Sequence, residues 1–171
     1  EALKKIYYKH KIGSLIIEIA RNHMPNEKYL KSVREFCTKK KIVLIFDECT
    51  SGFRRNLGGI HLLTKVYPDI AMFGKALGNG YAITAVVGNR KVMKKAKNSF
   101  ISSTMWSERV GFVAALATLR EMEKTKSFNQ IIRNGKYINM MWMKLSKKYN
   151  LNLRIKGFEC ITSFEFPKNN Q

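Results

Sequence analysis

No apolar run in this 171-residue chain approaches the roughly 20 residues needed to cross a bilayer. The amino end, EALKKIYYKHK, has neither an initiator methionine nor the apolar core of a signal peptide. Together these absences suggest a cytoplasmic protein, and a sequence cut from something longer. Cysteine is scarce: Cys37, Cys49 and Cys160 are odd in number and widely spaced, which excludes a disulfide framework or a CxxC metal site and leaves reduced thiols as the expectation. His10, His23 and His61 show no metal-binding spacing. Acidic residues are few, 12 against 32 lysines and arginines, giving a net charge of +20. Such an excess raises the question of nucleic acid. However, the basic residues are scattered and no helix-turn-helix, zinc finger or RNP-like run accompanies them, so nucleic-acid binding is not expected as the principal function.

What is present is an alternation of apolar runs and amphipathic stretches. Residues 1–11 read as the end of a helix, and SLIIEIA (Ser14–Ala20) as a buried parallel strand that contains Glu18. A carboxylate there is either a core oddity or a site residue. After the polar loop Arg21–Glu27 with Pro25, Lys28–Lys39 has the three-and-four apolar spacing of a helix. Ile42–Phe46 is the clearest strand and delivers Asp47 and Glu48 at its carboxyl end, completing a βαβ unit with parallel strands. The loop CTSGFRRNLGG reads as polar and flexible at its glycines, and Ile60–Val66 as a short helix.

Ile70–Phe73 then makes a short strand that runs into Lys75 and a glycine-rich turn. The next strand, Ile83–Gly88, follows too soon for a crossover helix, so an antiparallel neighbour is expected. Asn89–Lys97 reads as a short basic helix and Trp106–Lys124 as a long one with Ser103 or Thr104 near its start. In the helix Asn129–Lys148 the methionines and aromatics read as core, and Leu151–Ile155 and Cys160–Phe166 as two strands joined near Gly157. The expected division is 1–125 as part of a large domain and 126–171 as the start of a small one.

IVLIFDE could be a Walker B strand, but no GxxxxGK[ST] loop exists to cradle phosphate, and no GxSxG nucleophile elbow is present. What remains is Asp47 at one strand end, Lys75 at another, and a Ser-Thr pair after both. A lysine in a chain this rich in them is by default a solvated surface charge. Delivered by an apolar strand into a turn, it can instead be held partly out of water, which frees the amine to attack carbonyls. Amine, carboxylate and hydroxyl donors are together what pyridoxal phosphate requires for its aldehyde, its pyridine nitrogen and its phosphate.

VLIFDECTSGFR, PDIAMFGKALGNGYAITAVVG and FISSTMWSERVGFVAALATL resemble, in order and spacing, signature blocks of class III pyridoxal-phosphate aminotransferases, nearest the glutamate-1-semialdehyde aminomutase branch. The resemblance implies an α/β fold: part of the fold type I large domain, with a mostly parallel sheet and flanking helices, followed by the start of a small α+β carboxyl-terminal domain. It implies Lys75 as the Schiff-base lysine, Asp47 as the partner of the pyridine nitrogen, and Cys49 on one face of the ring, where valine is common. Thr50 falls near the ring hydroxyl, where many members carry glutamine, and Thr104 at the threonine that reaches the cofactor phosphate of the neighbouring subunit in a homodimer. Glu18 matches the glutamate of an EP pair whose proline is here Ile19. The implied activity is amino-group transfer, or a 2,1-aminomutase reaction, on a small amino/keto or amino/aldehyde substrate. Members also carry a glycine- and serine-rich phosphate cradle and a ring-stacking aromatic upstream of these blocks, so the chain is expected to be an internal piece of the enzyme. An inactive fragment and a basic nucleic-acid-binding module are the competing readings.

Overall fold

The structure, a computed structural model, describes residues 1–24 and 26–167. Pro25 in the expected polar loop, and Lys168–Gln171 at the end of the expected second domain, lie outside the described residues. Helix α1 (Ala2–His10) leads into strand β1 (Ser14–Glu18), helix α2 (Glu27–Lys40) and strand β2 (Val43–Asp47). The one-turn helix α3 (His61–Thr64) precedes strands β3 (Ile70–Phe73) and β4 (Ala85–Gly88). These strands form one sheet in the order β1-β2-β3-β4. β1, β2 and β3 run parallel, and β4 turns back antiparallel against β3, as the short connection required.

Local chemistry explains the elements that frame this sheet. The Asn26 side chain accepts the Tyr29 backbone N–H at 3.1 Å, Glu27 occupies the first turn of α2, and Lys39 and Lys40 occupy its last. Leu30, Val33 and Cys37, spaced by three and four, are the residues α2 buries. They meet Leu44 and Phe46, the alternate residues of β2 and both fully enclosed, together with Ile19, Ile42, Ile60 and Val66. A second cluster joins Ala71 and Phe73 of β3 to Leu77 and to Ala115 of helix α5 (Arg109–Thr125).

Several expectations are revised. Helix α5 begins at Arg109 rather than Trp106, because Ser107 is left-handed (φ 63°) and the turn bonds Trp106 N–H to Ser103 O and Glu108 N–H to Met105 O interrupt the helical path. Ser103 and Thr104 therefore lie in the loop before α5 and do not cap it. The basic segment after Asn89 is a single α-turn, α4 (Arg90–Met93), capped by Asn89 and continued by a 3₁₀ turn over Lys94–Asn98. Helix α6 (Ser127–Lys148) buries Gly135 and Ser146, while Tyr137, Met140 and Met143 of its expected core stripe are exposed.

The physical reason is a narrow contact. A Cβ at Gly135 would lie 1.8 Å from the Glu159 carbonyl, so α6 touches the following turn backbone to backbone, and Trp142 meets Phe164 edge-on at 5.0 Å. The closing strands, β5 (Arg154–Lys156) and β6 (Ser163–Glu165), are shorter than expected because Glu159–Ile161, which includes Cys160, forms a 3₁₀ turn. Phe158 from this stretch enters the core beside Ile19 and Phe46, seating the carboxyl-terminal turn on the sheet. Burial, with Glu159 adding, pushes the Cys160 thiol up to about 11, so it stays protonated at neutral pH.

The loop after β2 is closed by hydrogen bonds to one buried carboxylate. Glu48 is fully buried and its carboxylate gathers four donors: Ser51 Oγ–H (2.9 Å) and Ile60 N–H (2.6 Å) at Oε2, His61 N–H (3.1 Å) and His61 Nδ1 (2.6 Å) at Oε1. The glycines serve close approach, not mobility. A Cβ at Gly59 would lie 2.5 Å from both Glu48 Oε1 and His61 Nδ1, and one at Gly52 would lie 2.7 Å from the Phe73 ring. Burial raises the Glu48 carboxyl, but the His61 side chain, the His61 and Ile60 N–H groups and Ser51 together outweigh it, so the group lies below the usual carboxylate range.

Two expectations follow. Gly59→Ala destabilises by about 1–3 kcal/mol through overpacking, whereas Gly13→Ala, with no atom within 4 Å of the added carbon, leaves the urea midpoint within error. Because the folded-state value of Glu48 is depressed, its contribution is complete above about pH 4.3, the unfolded carboxyl value, and is lost as pH falls through the lower folded value. A melting-temperature series from pH 6 to pH 2 therefore shows an acid-limb loss that Glu48→Gln lacks.

Candidate active site

The parallel strands deliver their carboxyl ends to one side of the sheet, the side where ligands bind in open α/β folds. Glu18 and Asp47 are register partners at the ends of β1 and β2, and β3 ends at Phe73, immediately before Gly74 and Lys75. Asp47 is half-buried, and its Oδ1 accepts the Cys49 backbone N–H at 2.9 Å, which turns the chain sharply out of β2. Glu48 N–H still reaches Met72 O at 2.9 Å, so the strand pairing extends up to the turn itself.

Lys75 begins a single 3₁₀ turn, Lys75–Leu77, and is left-handed at φ 40°. A non-glycine residue in this region costs of order 1–3 kcal/mol, and such strain collects at functional sites. Its Nζ donates to Thr50 Oγ1 at 2.6 Å, linking the end of β3 to the turn after β2. Among the described residues Lys75 meets no carboxylate within ion-pair distance, so its amine is engaged by a hydroxyl alone. The expectation that Lys75 is held partly out of water is not met in this chain, where the residue is exposed. It fronts a cavity of about 560 Å³ lined also by Tyr81, Thr84, Thr104, Trp106 and Phe112. A second opening of about 510 Å³, bordered by Arg54, Asn79 and Glu121, reaches Lys75 as well.

The structure thus brings Asp47, Cys49, Thr50 and Lys75 into one group and puts Thr104 on the same cavity as Lys75. Burial raises the Cys49 thiol, a hydrogen bond with Asp47 and its charge add to this, and Lys75 opposes it. Asp47 and Lys75 therefore both act on the Cys49 thiol. The Gly74 Cα lies close enough that an added Cβ would stand 3.5 Å from the Cys49 sulfur. Glu18 is not a buried strand carboxylate: its side chain is 35% exposed and pairs with Arg21 at 3.6 Å.

Sequence reasoning missed the structural use of Glu48, Ser51 and His61. A carboxylate directly after a strand end, followed by a Gly-Gly-Ile-His run, is the signal that was available. It became meaningful only when those residues met in space.

The Aminotransferase class-III family description matches residues 6–171 of the chain. Among curated relatives, a 3-aminobutyryl-CoA aminotransferase from Cloacimonas acidaminovorans is 35% identical over 87% of this chain and 36% of its own length. A glutamate-1-semialdehyde 2,1-aminomutase from Methanosphaera stadtmanae is 30% identical over 99% of the chain and 42% of its own length. The chain therefore spans well under half of the curated relatives it matches. Among solved structures, the PLP internal aldimine form of the Sphingopyxis sp. MTA144 FumI protein aligns with a TM-score of 0.91 at 22% identity, covering 97% of this chain and 42% of that one. An omega-transaminase from Sphaerobacter thermophilus aligns at 0.86 and 21% identity, covering 98% of this chain and 40% of that one. The α/β fold with its mostly parallel sheet is shared with these fold type I transaminases. On the family match and the identity to its relatives, the chain belongs to the class-III aminotransferase family.

Proposed function

We propose that this chain carries the lysine-bearing part of a pyridoxal-phosphate-dependent enzyme that moves an amino group, by transamination or by a 2,1-amino shift, on a small amino/keto or amino/aldehyde substrate. The observation that carries the reading is that Asp47 and Lys75 stand at the ends of adjacent parallel strands, in a chain of this family, with the lysine amine held by a hydroxyl and, among the described residues, in no ion pair with a carboxylate. That donor set fits the cofactor: an amine for the aldehyde and a carboxylate for the ring nitrogen. When bound, pyridoxal phosphate supplies an electron-accepting ring that stabilises negative charge at the substrate Cα.

The chain's own residues then have distinct tasks. Lys75 Nζ is the group that would hold the cofactor through its aldehyde and that, as a free amine, would carry the proton to and from the substrate Cα. Asp47 would keep the ring nitrogen protonated, an electrostatic role that matters most where charge develops. Cys49 would pack against the ring, Thr50 would serve its hydroxyl, and Thr104 would bind phosphate. In this reading Thr104 serves the cofactor of a neighbouring subunit.

A homodimer is supported by the exposed apolar side chains around Thr104: Phe100, Ile101, Met105 and Trp106 in the loop, and Val110, Phe112, Val113 and Leu116 on α5. The proposed division of the chain at 125/126 is supported by the left-handed Lys126 between α5 and α6 (φ 51°). No helix among the described residues is long and apolar enough to cross a membrane. The three free cysteines support a reducing compartment such as the cytoplasm.

Incubation of the natural protein with pyridoxal phosphate, borohydride reduction and peptide mapping tests the assignment. The expected label is on Lys75 and is lost in Lys75→Ala; a reduced cofactor retained by that variant overturns it. Asp47→Asn is expected to keep the label while turnover falls by roughly two to three orders of magnitude.

A further inference from the structure

We infer that Glu48, acting with His61, is a positioning residue for Lys75: the buried pair closes the loop between β2 and α3 and so fixes the Thr50 hydroxyl on which the Lys75 amine rests. The inference builds on the proposed role of Lys75. Thr50 lies in the turn immediately after Glu48, and that turn is held from three sides. The Asp47 carboxylate takes Cys49 N–H (2.9 Å), the Glu48 carbonyl takes Gly52 N–H (2.8 Å), and the Thr50 carbonyl takes Arg54 Nε–H (2.7 Å). None of these bonds ties the turn to the far end of the loop.

The Glu48 carboxylate does so. One oxygen binds Ser51 within the turn and Ile60 beyond the loop, and the other binds His61 through both backbone and ring. An apolar side chain in the same place could fill the volume, but it could not set the direction of four bonds. Lys75 arrives from a different strand, so the 2.6 Å contact between Nζ and Thr50 Oγ1 depends on where the turn presents that hydroxyl.

A further support is that the loop has no slack at this point. Gly59 admits no Cβ beside Glu48 and His61, Ser51 is buried on the Glu48 carboxylate, and Gly52 is buried against Phe73 of β3. Arg55, from the same loop, pairs with Glu159 at 3.3 Å, so the carboxyl-terminal turn braces the loop from outside. Displacement of Glu48 or His61 is therefore transmitted to Thr50 rather than absorbed.

Trace acetylation with acetic anhydride tests the coupling in the natural protein, with the other lysines as internal references and no dependence on cofactor or turnover. A tethered amine must surrender its hydrogen bond to react, so Thr50→Val is expected to raise the Lys75 rate roughly three- to tenfold, the weight of one hydrogen bond. Thr50→Ser restores it. Glu48→Gln and the milder His61→Gln raise the Lys75 rate in the same direction, leave the other lysines unchanged, and add nothing to Thr50→Val.

A Lys75 rate unchanged in folded His61→Gln protein, full additivity with Thr50→Val, or a rise shared by all lysines overturns the inference; should Glu48→Gln fail to fold, His61→Gln decides. Pyridoxal-phosphate trapping on the same samples separates the two claims. Coupling without a trapped label in wild type supports the inference and overturns the proposed function. A trapped label without coupling does the reverse.

Discussion

One carboxylate held wholly out of water organises the loop at the carboxyl end of β2. Burying a charged carboxylate costs several kcal/mol unless its oxygens are satisfied by well-placed donors. At Glu48 the donors come from both ends of the loop it closes, so the same four bonds that satisfy the charge also define the loop. An apolar side chain there could supply volume but not the direction of these four bonds. Everything placed by that loop, including Thr50, Arg54 and the Arg55 link to the carboxyl-terminal turn, inherits its geometry.

The sheet supplies the second constraint. Parallel strands share a polarity, so residues that follow them in sequence meet at one edge in space. Asp47 ends β2, Lys75 follows β3, and the antiparallel return through β4 leaves the edge beside Lys75 to the loop that carries Thr104 and Trp106. A second ion-pair node fixes the opposite end. The Asp69 carboxylate takes Leu44 N–H at 2.8 Å, the Arg34 guanidinium at 2.8 Å and the Asn89 side chain at 3.0 Å, tying α2, β2 and the end of β4 to the start of β3. With both ends of β3 fastened, the strained backbone at Lys75 is held by its surroundings rather than relaxed into an ordinary turn.

The exposed apolar surface of α5 and α6 belongs to the same picture. Each helix has an apolar stripe wider than the face it buries within this chain, since α5 meets β3 through Ala115 and the segment before β4 through Gly111, and α6 meets the next turn at Gly135. Small residues at the contacts let backbones approach closely, and the large apolar side chains point elsewhere. Periodicity alone reports that a stripe exists, not what covers it.

The sequence by itself determined the parallel pairing of β1 with β2, the antiparallel return of β4 on β3, and the positions of Asp47 and Lys75 at strand ends. These follow from local rules: apolar runs of strand length, three-and-four spacing in α2, and a connection too short for a crossover before β4. It could not reveal that Lys75 stands exposed, that α6 leaves Met140 and Met143 uncovered, or that Glu48 closes the loop that follows it. Those outcomes depend on groups far apart in the chain, as when Glu48 meets His61 or Gly135 meets Glu159. Only the tertiary structure decided that the Lys75 amine rests on Thr50, because that contact joins two strands at a tolerance no local pattern encodes.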